Sequence, residues 1–486
     1  MPAFYTVTGA DFAAILPETI LALLGLLLIL LDAFARPLRS TFPYVALVGV
    51  AIANVMGHYT TGAYFAGAIE VSDLTKFVEF LTLAGVSLAI LGGETLLARD
   101  NKNQGEFYAF LLWAAAGVIL MVKGGDFLVI FLGLEIMSIS LYVLAAWYRE
   151  LPASVEAGMK YFLVGAFASA ILLFGVATLY GRLGTTSLSK IAGHVQANPA
   201  IGFDPLLAFG LVMIVAALGF KIALVPFHGW APDVYQGMTT PAVAFLSTAP
   251  KAGAVVVLIH ILAVTLPGAL GVPWQPLLAI LAGITILFGN VVALAQRDLK
   301  RMLAYSGIAQ MGYVAIGIST FTQEAFEGVL VFLAGYLVTN IAAFLAIGAL
   351  SNGEKESHPL SDLAGLGRSQ PMAGGILALS MLSLAGMPPT IGFIGKFLVF
   401  RAAVDSGFVM LALVGVAGSI ISVGFYLRVV YMLFMKDATR EVNVAPDDIP
   451  SGAAYLLAAA GMLALGLFPS ALIDFARSAA SSISLL

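Results

Sequence analysis

Long apolar runs recur along the chain, separated by short polar connections. A membrane-spanning helix needs about 20 consecutive apolar residues, so the pattern predicts an all-α polytopic membrane protein with about 14 transmembrane helices. The predicted helices lie near 14–34, 43–60, 76–97, 106–123, 126–148, 154–181, 205–237, 240–266, 274–295, 300–320, 325–350, 371–403, 407–435 and 451–475. The longest polar connections, 182–204 and 351–370, are too short for a soluble domain, which predicts a single membrane domain over residues 1–486.

Two of the predicted helices are too long and carry proline near the middle. Val225-Pro226-Phe227 interrupts the seventh, and Gly386-Met387-Pro388-Pro389 interrupts the twelfth. Proline removes a backbone donor, and broken backbone at membrane depth persists only where protein or a water-filled cavity satisfies the freed groups. Paired interruptions are typical of a transporter's binding site. The alternative is a simple proline kink, but a lysine beside each break favours the functional interpretation.

Composition supports the membrane prediction and excludes several functions. The chain is 60% hydrophobic and 10% charged, whereas a soluble domain has roughly 45 to 50% and about 25%. The net charge of −4 leaves no basic surplus of the kind that nucleic acid demands. We therefore expect the lipid bilayer as a partner and no nucleic acid.

The chain has no cysteine, so it can hold no thiolate-ligated iron–sulfur cluster, disulfide or redox dithiol of its own. No pair of histidines has the i,i+3 or i,i+4 spacing of a helical metal site, and no Gly-rich phosphate loop follows a strand-like run. The histidines are His58, His194, His228, His260 and His358. We expect no metal and no cofactor in this chain, and any electron transfer must occur in another polypeptide.

Lysine and arginine are distributed unevenly between alternate connections. With the N-terminus outside, the inner set has twelve of these residues and the outer set, which includes Lys123, has six. Because positive residues favour the cytoplasmic side, this asymmetry predicts that both termini are non-cytoplasmic.

Four charges stand out by their position well inside a predicted helix or close to a helix break: Glu135, Lys221, Lys251 and Lys396. A charge at the centre of a membrane helix costs at least about 2.5 kcal/mol, so each needs a partner or a function. Buried lysine can exchange protons near neutral pH, which arginine cannot do. We interpret the four residues as a proton relay. The alternative is a structural ion pair between Glu135 and Lys221, which is weak evidence for stability.

A second group of candidates is His228, Asp233, His260 and Lys160. His228 and Asp233 follow the break in the seventh helix, where Asp233 could cap or gate an access path. His260 lies nine residues after Lys251, on roughly the opposite side of the helix, and could continue a relay or be a core histidine. Lys160 has the i,i+4 spacing of an interfacial pair with Glu156.

Five long segments carry a resemblance to a known family. They are GLEIMSISLYVLAAW (133–147), GFKIALVPFHGWAPDVYQG (219–237), TPAVAFLSTAPKAGA (240–254), LAQRDLKRMLAYSGIAQMGY (294–313) and AGMPPTIGFIGKFLVF (385–400). They resemble the antiporter-like proton-translocating subunits of respiratory complex I, the NADH:quinone oxidoreductase. Among these the N type fits best, because the chain stops soon after its last apolar run, unlike L, and has Lys396 where M typically has glutamate.

The resemblance implies two inverted five-helix repeats, helices 4–8 over 106–266 and helices 9–13 over 274–435, with discontinuous helices 7 and 12. Residues 1–105 would hold helices 1–3, and 451–475 helix 14. Glu135 would be the fifth-helix glutamate, Lys221 the lysine of helix 7, Lys251 the central lysine of helix 8 and Lys396 the lysine of helix 12. The second repeat lacks an acidic residue where Glu135 would fall.

The resemblance also implies a subunit of a translocase in a bacterial inner membrane. NADH, FMN, iron–sulfur clusters and quinone are then expected in other subunits, and the partners are subunit M and small membrane subunits. Two alternatives stay open: a cation/proton antiporter or membrane hydrogenase component, and a structural scaffold whose charges set helix register.

Overall fold

The computed structural model describes residues 5–197, 204–265, 274–351, 355, 358–438 and 449–483, and most of them are helical. Helices suit this composition because a helix satisfies its backbone hydrogen bonds internally, as an apolar environment requires. The prediction of a mainly helical fold is therefore confirmed.

The first part of the chain contains a short helix, four long helices and a small hairpin. The helices are α1 Gly9–Ala14, α2 Leu16–Phe34, α3 Phe42–Gly57, α4 Asp73–Arg99 and α5 Gly105–Val122, with a 3₁₀ helix at Arg36–Thr41. Strands β1 Gly62–Tyr64 and β2 Ile69–Val71 pair antiparallel between α3 and α4. The expectation of an exclusively helical chain is wrong at this hairpin, because strands of three residues are too short to show as alternation in the sequence.

The middle part contains the first interrupted helices. Its elements are α6 Phe127–Ala145, α7 Pro152–Leu183, α8 Leu188–Ala197, α9 Pro205–Ile222, α10 Ala231–Gly237, α11 Thr240–Leu246, α12 Ala249–Ile259 and a π-helical turn at His260–Thr265. The last part contains α13 Trp274–Ala295, α14 Leu299–Thr320, α15 Gln323–Leu350, α16 Leu366–Ser369, α17 Pro371–Ala385, α18 Ile391–Asp405, α19 Val409–Met435, α20 Ile449–Leu467 and α21 Ser470–Ser481, with a 3₁₀ helix at Leu360–Leu363.

Both predicted breaks are present. Helix α9 ends before Ala223, which has a left-handed φ of 60°, and α17 ends before Gly386, whose φ is 83°. The sequence did not indicate a further break at Thr248, which separates α11 from α12 with φ −126° and ψ −84°. The last predicted span is also bent, by 82° between α20 and α21.

Twelve helical segments of the described residues are long and apolar enough to cross a membrane, or thirteen if the bent α20–α21 pair counts as one span. Three of them form the centre of the bundle, because the most apolar windows of Thr240–Leu262, α14 and α15 are 94 to 100% buried. Peripheral helices such as α2, α7 and α19 expose large apolar side chains, as lipid contact requires. The central helices are therefore the ones that can isolate polar groups from lipid.

Candidate functional site

Lys221 lies in the last turn of α9, directly before the break, and is 5% exposed. Its Nζ donates a hydrogen bond of 2.6 Å to Ser138 Oγ on α6. The rings of Tyr142 and Tyr161 lie 5.6 and 5.5 Å from the same atom, within the range of cation–π attraction. The cation is thus held by a hydroxyl and aromatic faces.

Glu135 lies one turn from Ser138 on α6 and accepts a hydrogen bond from Ser169 Oγ of α7. Its side chain is partly exposed, on the helix face that also exposes Leu132 and Ile139. Within the described residues, Glu135 and Lys221 make no direct ion pair. Lys221 of α9 contacts Ser138 of α6 instead, one turn from Glu135. The structural ion-pair alternative therefore has no support from the contacts.

Lys251 lies in the first turn of α12, directly after the break at Thr248, and is 1% exposed. Its Nζ lies 3.4 Å from Gly307 O of α14 and 5.5 Å from the ring of Tyr235. A Cβ added at Gly307 would lie 3.3 Å from Lys251 Nζ and 3.0 Å from the hydroxyl of Tyr336. The absence of a side chain at Gly307 therefore keeps space around this ammonium.

Lys396 lies in α18 and is held by the end of the broken helix. Its Nζ donates to Leu384 O at 2.8 Å and to Ala385 O at 3.3 Å, the last carbonyls of α17. Such carbonyls lack helical partners and carry the negative end of the helix dipole. The ring of Tyr313 lies 4.7 Å from Nζ. A largely apolar cavity of about 630 Å³ between α18 and α19 has Lys396 in its lining.

One face of α14 joins Lys251 to Lys396. Gly307, Gln310 and Tyr313 recur every three residues, a spacing that places them on the same side of the helix. Gln310 Nε2 donates to Leu384 O at 3.1 Å, the carbonyl that Lys396 also uses, and to the hydroxyl of Tyr426 at 3.0 Å. This face therefore contributes polar atoms between the two lysines in an otherwise apolar interior.

Lys221 and Lys251 are connected by aromatic side chains. Tyr161 stacks on Trp230 with ring centroids 4.8 Å apart, and Trp230 packs against Tyr235 at 6.3 Å. The indole N–H of Trp230 donates to Phe220 O at 2.9 Å, a hydrogen bond that fixes the position of the ring. Proton transfer between the two lysines would require water beside these rings.

The three lysines share one property. None of Lys221, Lys251 and Lys396 lies within 4 Å of a carboxylate oxygen in the part of the chain that the structure describes. Cations that anchor helices inside a membrane protein normally pair with an opposite charge. Without a carboxylate in direct contact, each lysine is free to exist with or without its proton.

Asp233 and Lys160 meet at one end of the site. Asp233 in α10 receives contacts of 2.5 Å from both Lys160 Nζ and Arg301 Nη1. Lys160 also lies 2.6 Å from Glu156, which is the i,i+4 pair predicted from the sequence. Arg301, at the start of α14, was not among the predicted site residues. The cluster joins α7, α10 and α14 next to Tyr235.

The two histidines lie apart from the lysines. The ring of His228 packs against Phe288 with centroids 4.6 Å apart, in the segment between α9 and α10. His260 begins the π-helical turn after α12 and lines a separate cavity of about 440 Å³ with Glu70. His260 follows the end of α12, and the apolar residues of that helix lie between it and Lys251 in the first turn. The structure therefore does not bring His260 together with the three lysines.

Sequence reasoning missed several polar residues of the interior. They are Lys123, Tyr235, Lys300, Gln310, Tyr336 and Tyr426, and all are at most 4% exposed. Lys123 and Lys300 lie at the ends of the predicted spans 106–123 and 300–320, so neither was expected to be buried. The other four residues could have been found from the sequence, because each is a polar residue in a helix that is apolar on all sides. Within the described ranges, no group of three or more His, Asp and Glu side chains could hold a metal ion.

Replacing Gly307 by alanine tests whether the space around Lys251 matters. If the lysines relay protons, as the sequence predicts, Gly307→Ala should lower proton transfer in part, because the new methyl group would crowd Lys251 Nζ and Tyr336. The control is Gly283→Ala in α13, where an added Cβ meets nothing closer than 3.9 Å. Both changes raise helix propensity, by up to about 1 kcal/mol, so equal pumping by the two variants would contradict the expectation.

Comparisons with known proteins agree with this geometry. A sequence profile for the transmembrane region of the NADH:quinone oxidoreductase/Mrp antiporter family matches residues 124–422. NADH-quinone oxidoreductase subunit N of Trichlorobacter lovleyi is 40% identical over 473 residues, which are 96% of this chain and 97% of that protein. The corresponding subunit N of Rhodospirillum rubrum is 37% identical over 480 residues, covering 96% and 97%.

Solved structures show the same fold. A chain of respiratory complex I from Thermus thermophilus with bound aureothin superposes with a TM-score of 0.79 at 33% identity, covering 94% of this chain and 98% of that one. A chain of an archaeal membrane-bound sulfane sulfur reductase gives a TM-score of 0.84 at 22% identity, covering 98% and 97%, which shows a shared fold alone.

The fold and the buried lysines define a multi-span membrane protein of the antiporter-like class. Within that class, this chain belongs to the NADH-quinone oxidoreductase subunit N family.

Proposed function

We propose that this chain is a proton-translocating membrane subunit of a NADH:quinone oxidoreductase. The observation that carries the proposal is the set of three buried lysines with no carboxylate partner among the described residues, each held by neutral oxygens and aromatic rings. A buried cation costs free energy, and ionisable residues inside a membrane protein usually have a function. A lysine that can lose its proton is suited to a proton relay. Family membership supports the same activity.

In the proposed path, protons enter near the Asp233, Lys160 and Arg301 cluster and reach Lys221, whose charge responds to Glu135. They pass to Lys251 beside the aromatic side chains, and then along the Gly307, Gln310 and Tyr313 face of α14 to Lys396. Lys396 is the last group of this path, and the proton leaves past it. His228 and His260 have no step in this path.

Glu135 is the residue through which a neighbouring subunit would act. Its side chain is partly exposed on the lateral face of α6. One turn further along the same helix, Ser138 accepts the hydrogen bond from Lys221 Nζ. A charge or movement at that face would change the attraction between Glu135 and Lys221. The partners we propose are subunit M and small membrane subunits, with NADH, FMN, iron–sulfur clusters and quinone bound elsewhere in the assembly.

We also propose fourteen membrane crossings in two inverted five-helix repeats, 106–266 and 274–435, with both termini outside the cytoplasm of a bacterium. The count follows if α17 and α18 together form one interrupted span in addition to the thirteen described above. In the second repeat the neutral side chain of Gln310 lies near Lys396, whereas in the first repeat the acidic Glu135 lies near Lys221. The two repeats therefore differ in their chemistry.

The test replaces Lys221 by alanine in the assembled complex reconstituted into vesicles. Proton uptake and donor-driven quinone reduction should fall together, because a blocked relay stops the step to which electron transfer is coupled. The control is Lys190→Ala, an exposed lysine of α8. Normal pumping in an assembled Lys221→Ala complex would contradict the relay and favour a structural scaffold.

A further inference from the structure

Three other charged side chains meet at one end of the bundle, on helices that hold none of the three lysines. Lys123 follows the last residue of α5, Glu18 lies in the first turn of α2, and Glu79 lies in the second turn of α4. Their residues are 1, 7 and 4% exposed, respectively. We call these three residues the Lys123 triad.

The ammonium group of Lys123 lies between the two carboxyl groups. Its Nζ is 2.8 Å from Glu79 Oε2 and 3.1 Å from Glu18 Oε1, and it donates to Ala14 O at 3.3 Å. The two carboxyl contacts are ion pairs by distance but lack the alignment of hydrogen bonds. Glu18 Oε2 is buried and accepts no hydrogen bond from any residue that the structure describes. The triad therefore has a buried oxygen that its own members do not satisfy.

Packing leaves little room for these groups to move. Glu79 Oε1 lies directly against the backbone of Gly57 in α3, where an added Cβ would overlap it. The backbone N–H of Glu70 in the hairpin donates to Lys123 O at 2.7 Å. Helices and hairpin thus fix the two carboxyl groups around one ammonium.

The ionisable neighbours on the surrounding elements have contacts elsewhere. Asp11 of α1 accepts hydrogen bonds from the Phe65 N–H and the Tyr5 hydroxyl, which hold the pKa of its carboxyl well below the usual range. The His58 ring contacts Asn54 O at 2.7 Å, and Lys76 donates to Thr61 at 2.7 Å. Glu70 is exposed, and its backbone N–H contacts Lys123 O. Within the described ranges, no second cation joins the triad, so full ionisation would leave a net charge of −1.

We propose that the Lys123 triad is a proton-binding site, in which Glu18 and Glu79 together hold one proton at neutral pH. A buried charge without compensation is strongly unfavourable, and two nearby carboxyl groups oppose each other's ionisation. One proton makes the triad neutral and gives a carboxylic acid beside a carboxylate–ammonium pair. The site is independent of the relay, because its residues contact none of Lys221, Lys251 and Lys396.

The triad lies close to a membrane surface. Glu18 is in the first turn of α2 and Lys123 is at the end of α5, so both are at the ends of spans. Glu79 lies one turn from Thr75, which lines the cavity of about 440 Å³ beside the hairpin. Protons would therefore exchange between the triad and the aqueous phase on the hairpin side.

The test is infrared spectroscopy of the purified, assembled complex near neutral pH, comparing wild type with Glu18→Gln and Glu79→Gln. We expect the wild-type spectrum to contain a C=O band of a protonated carboxylic acid. Both variants should lose this band, because each leaves a single carboxyl group, which is ionised beside the Lys123 ammonium. Both variants should assemble with wild-type thermal stability. The control is Glu106→Gln, an exposed residue of α5, which should keep the band.

A fully ionised triad gives different results. Neither variant would then remove a carboxylic-acid band, and each would lose stability because an ion pair is lost without compensation. Failure of both single variants to assemble would overturn the proposal in the same way. The double variant, Glu18→Gln with Glu79→Gln, should lose stability in either case because it leaves Lys123 without a counter-charge, and it shows that the assay detects such a loss.

Discussion

Replacing Lys251 by methionine should strongly reduce coupled proton pumping while making the protein more stable. Lys251 is the most buried of the three lysines, and among the described residues its ammonium group has one hydrogen bond, to Gly307 O, and one cation–π contact, with the Tyr235 ring. Without a group that can carry a proton at this point, pumping and coupled turnover should fall by at least about tenfold. Methionine has a similar shape and no charge, so stability should rise by about 1 to 4 kcal/mol, as when buried ionic groups are replaced by apolar ones.

The two measurements together distinguish a relay from a structural role. Pumping is measured in vesicles and stability as the thermal midpoint of the assembled complex. If Lys251 only held the fold together, its substitution would lower both proton pumping and thermal stability. Reduced stability in Lys251→Met, or unchanged pumping, would contradict the proposed function. Lys190→Met, at an exposed position, should change neither quantity.

The sequence predicts the spans well where an apolar run ends at a charge or a proline. Helix α13 matches its predicted range, 274–295, because Arg297 and Asp298 follow the run directly. The breaks after Ile222 and Ala385 were predicted from Pro226, Pro388 and Pro389, which cannot continue a helix. These features depend on neighbouring residues in the chain, and local sequence is sufficient to find them.

Other features depend on residues far apart in the chain. The break at Thr248 precedes Pro250, which lies well inside the predicted span 240–266, where a proline can either kink a continuous helix or begin a new one. Whether Glu135 pairs with Lys221 depends on how α6, α7 and α9 are rotated, and the structure puts Ser138 against Lys221 and Ser169 against Glu135. The anomalous charges were predictable, but their partners were not.

Lys123 shows the same limit most clearly. It is followed by Gly124, Gly125 and Asp126, a sequence typical of a polar turn, and was therefore expected in an outer connection. The structure buries it completely, because Glu18 and Glu79 come from two other helices to meet it. Burial of a charge at the end of a span depends on which neighbouring helix ends carry the opposite charge.

The Lys123 triad gives the opposite expectation to Lys251 for the same substitution. Lys123→Met should destabilise the protein by roughly 3 to 5 kcal/mol, because removing one member of a buried ion pair leaves an uncompensated charge. The two carboxyl groups, separated by the ammonium in the wild type, would face each other in an apolar space, and binding a second proton would recover only part of the loss.

The comparison of Lys123→Met with Lys251→Met keeps the chemistry constant and changes only the surroundings. Thermal midpoints of the two assembled variants should shift in opposite directions, downward for Lys123→Met and upward for Lys251→Met. Adding Glu18→Gln and Glu79→Gln to Lys123→Met should restore much of the lost stability, because no buried charge then remains in the triad. Shifts of the same sign would mean that the presence or absence of a carboxylate partner does not determine how this bundle tolerates a buried lysine.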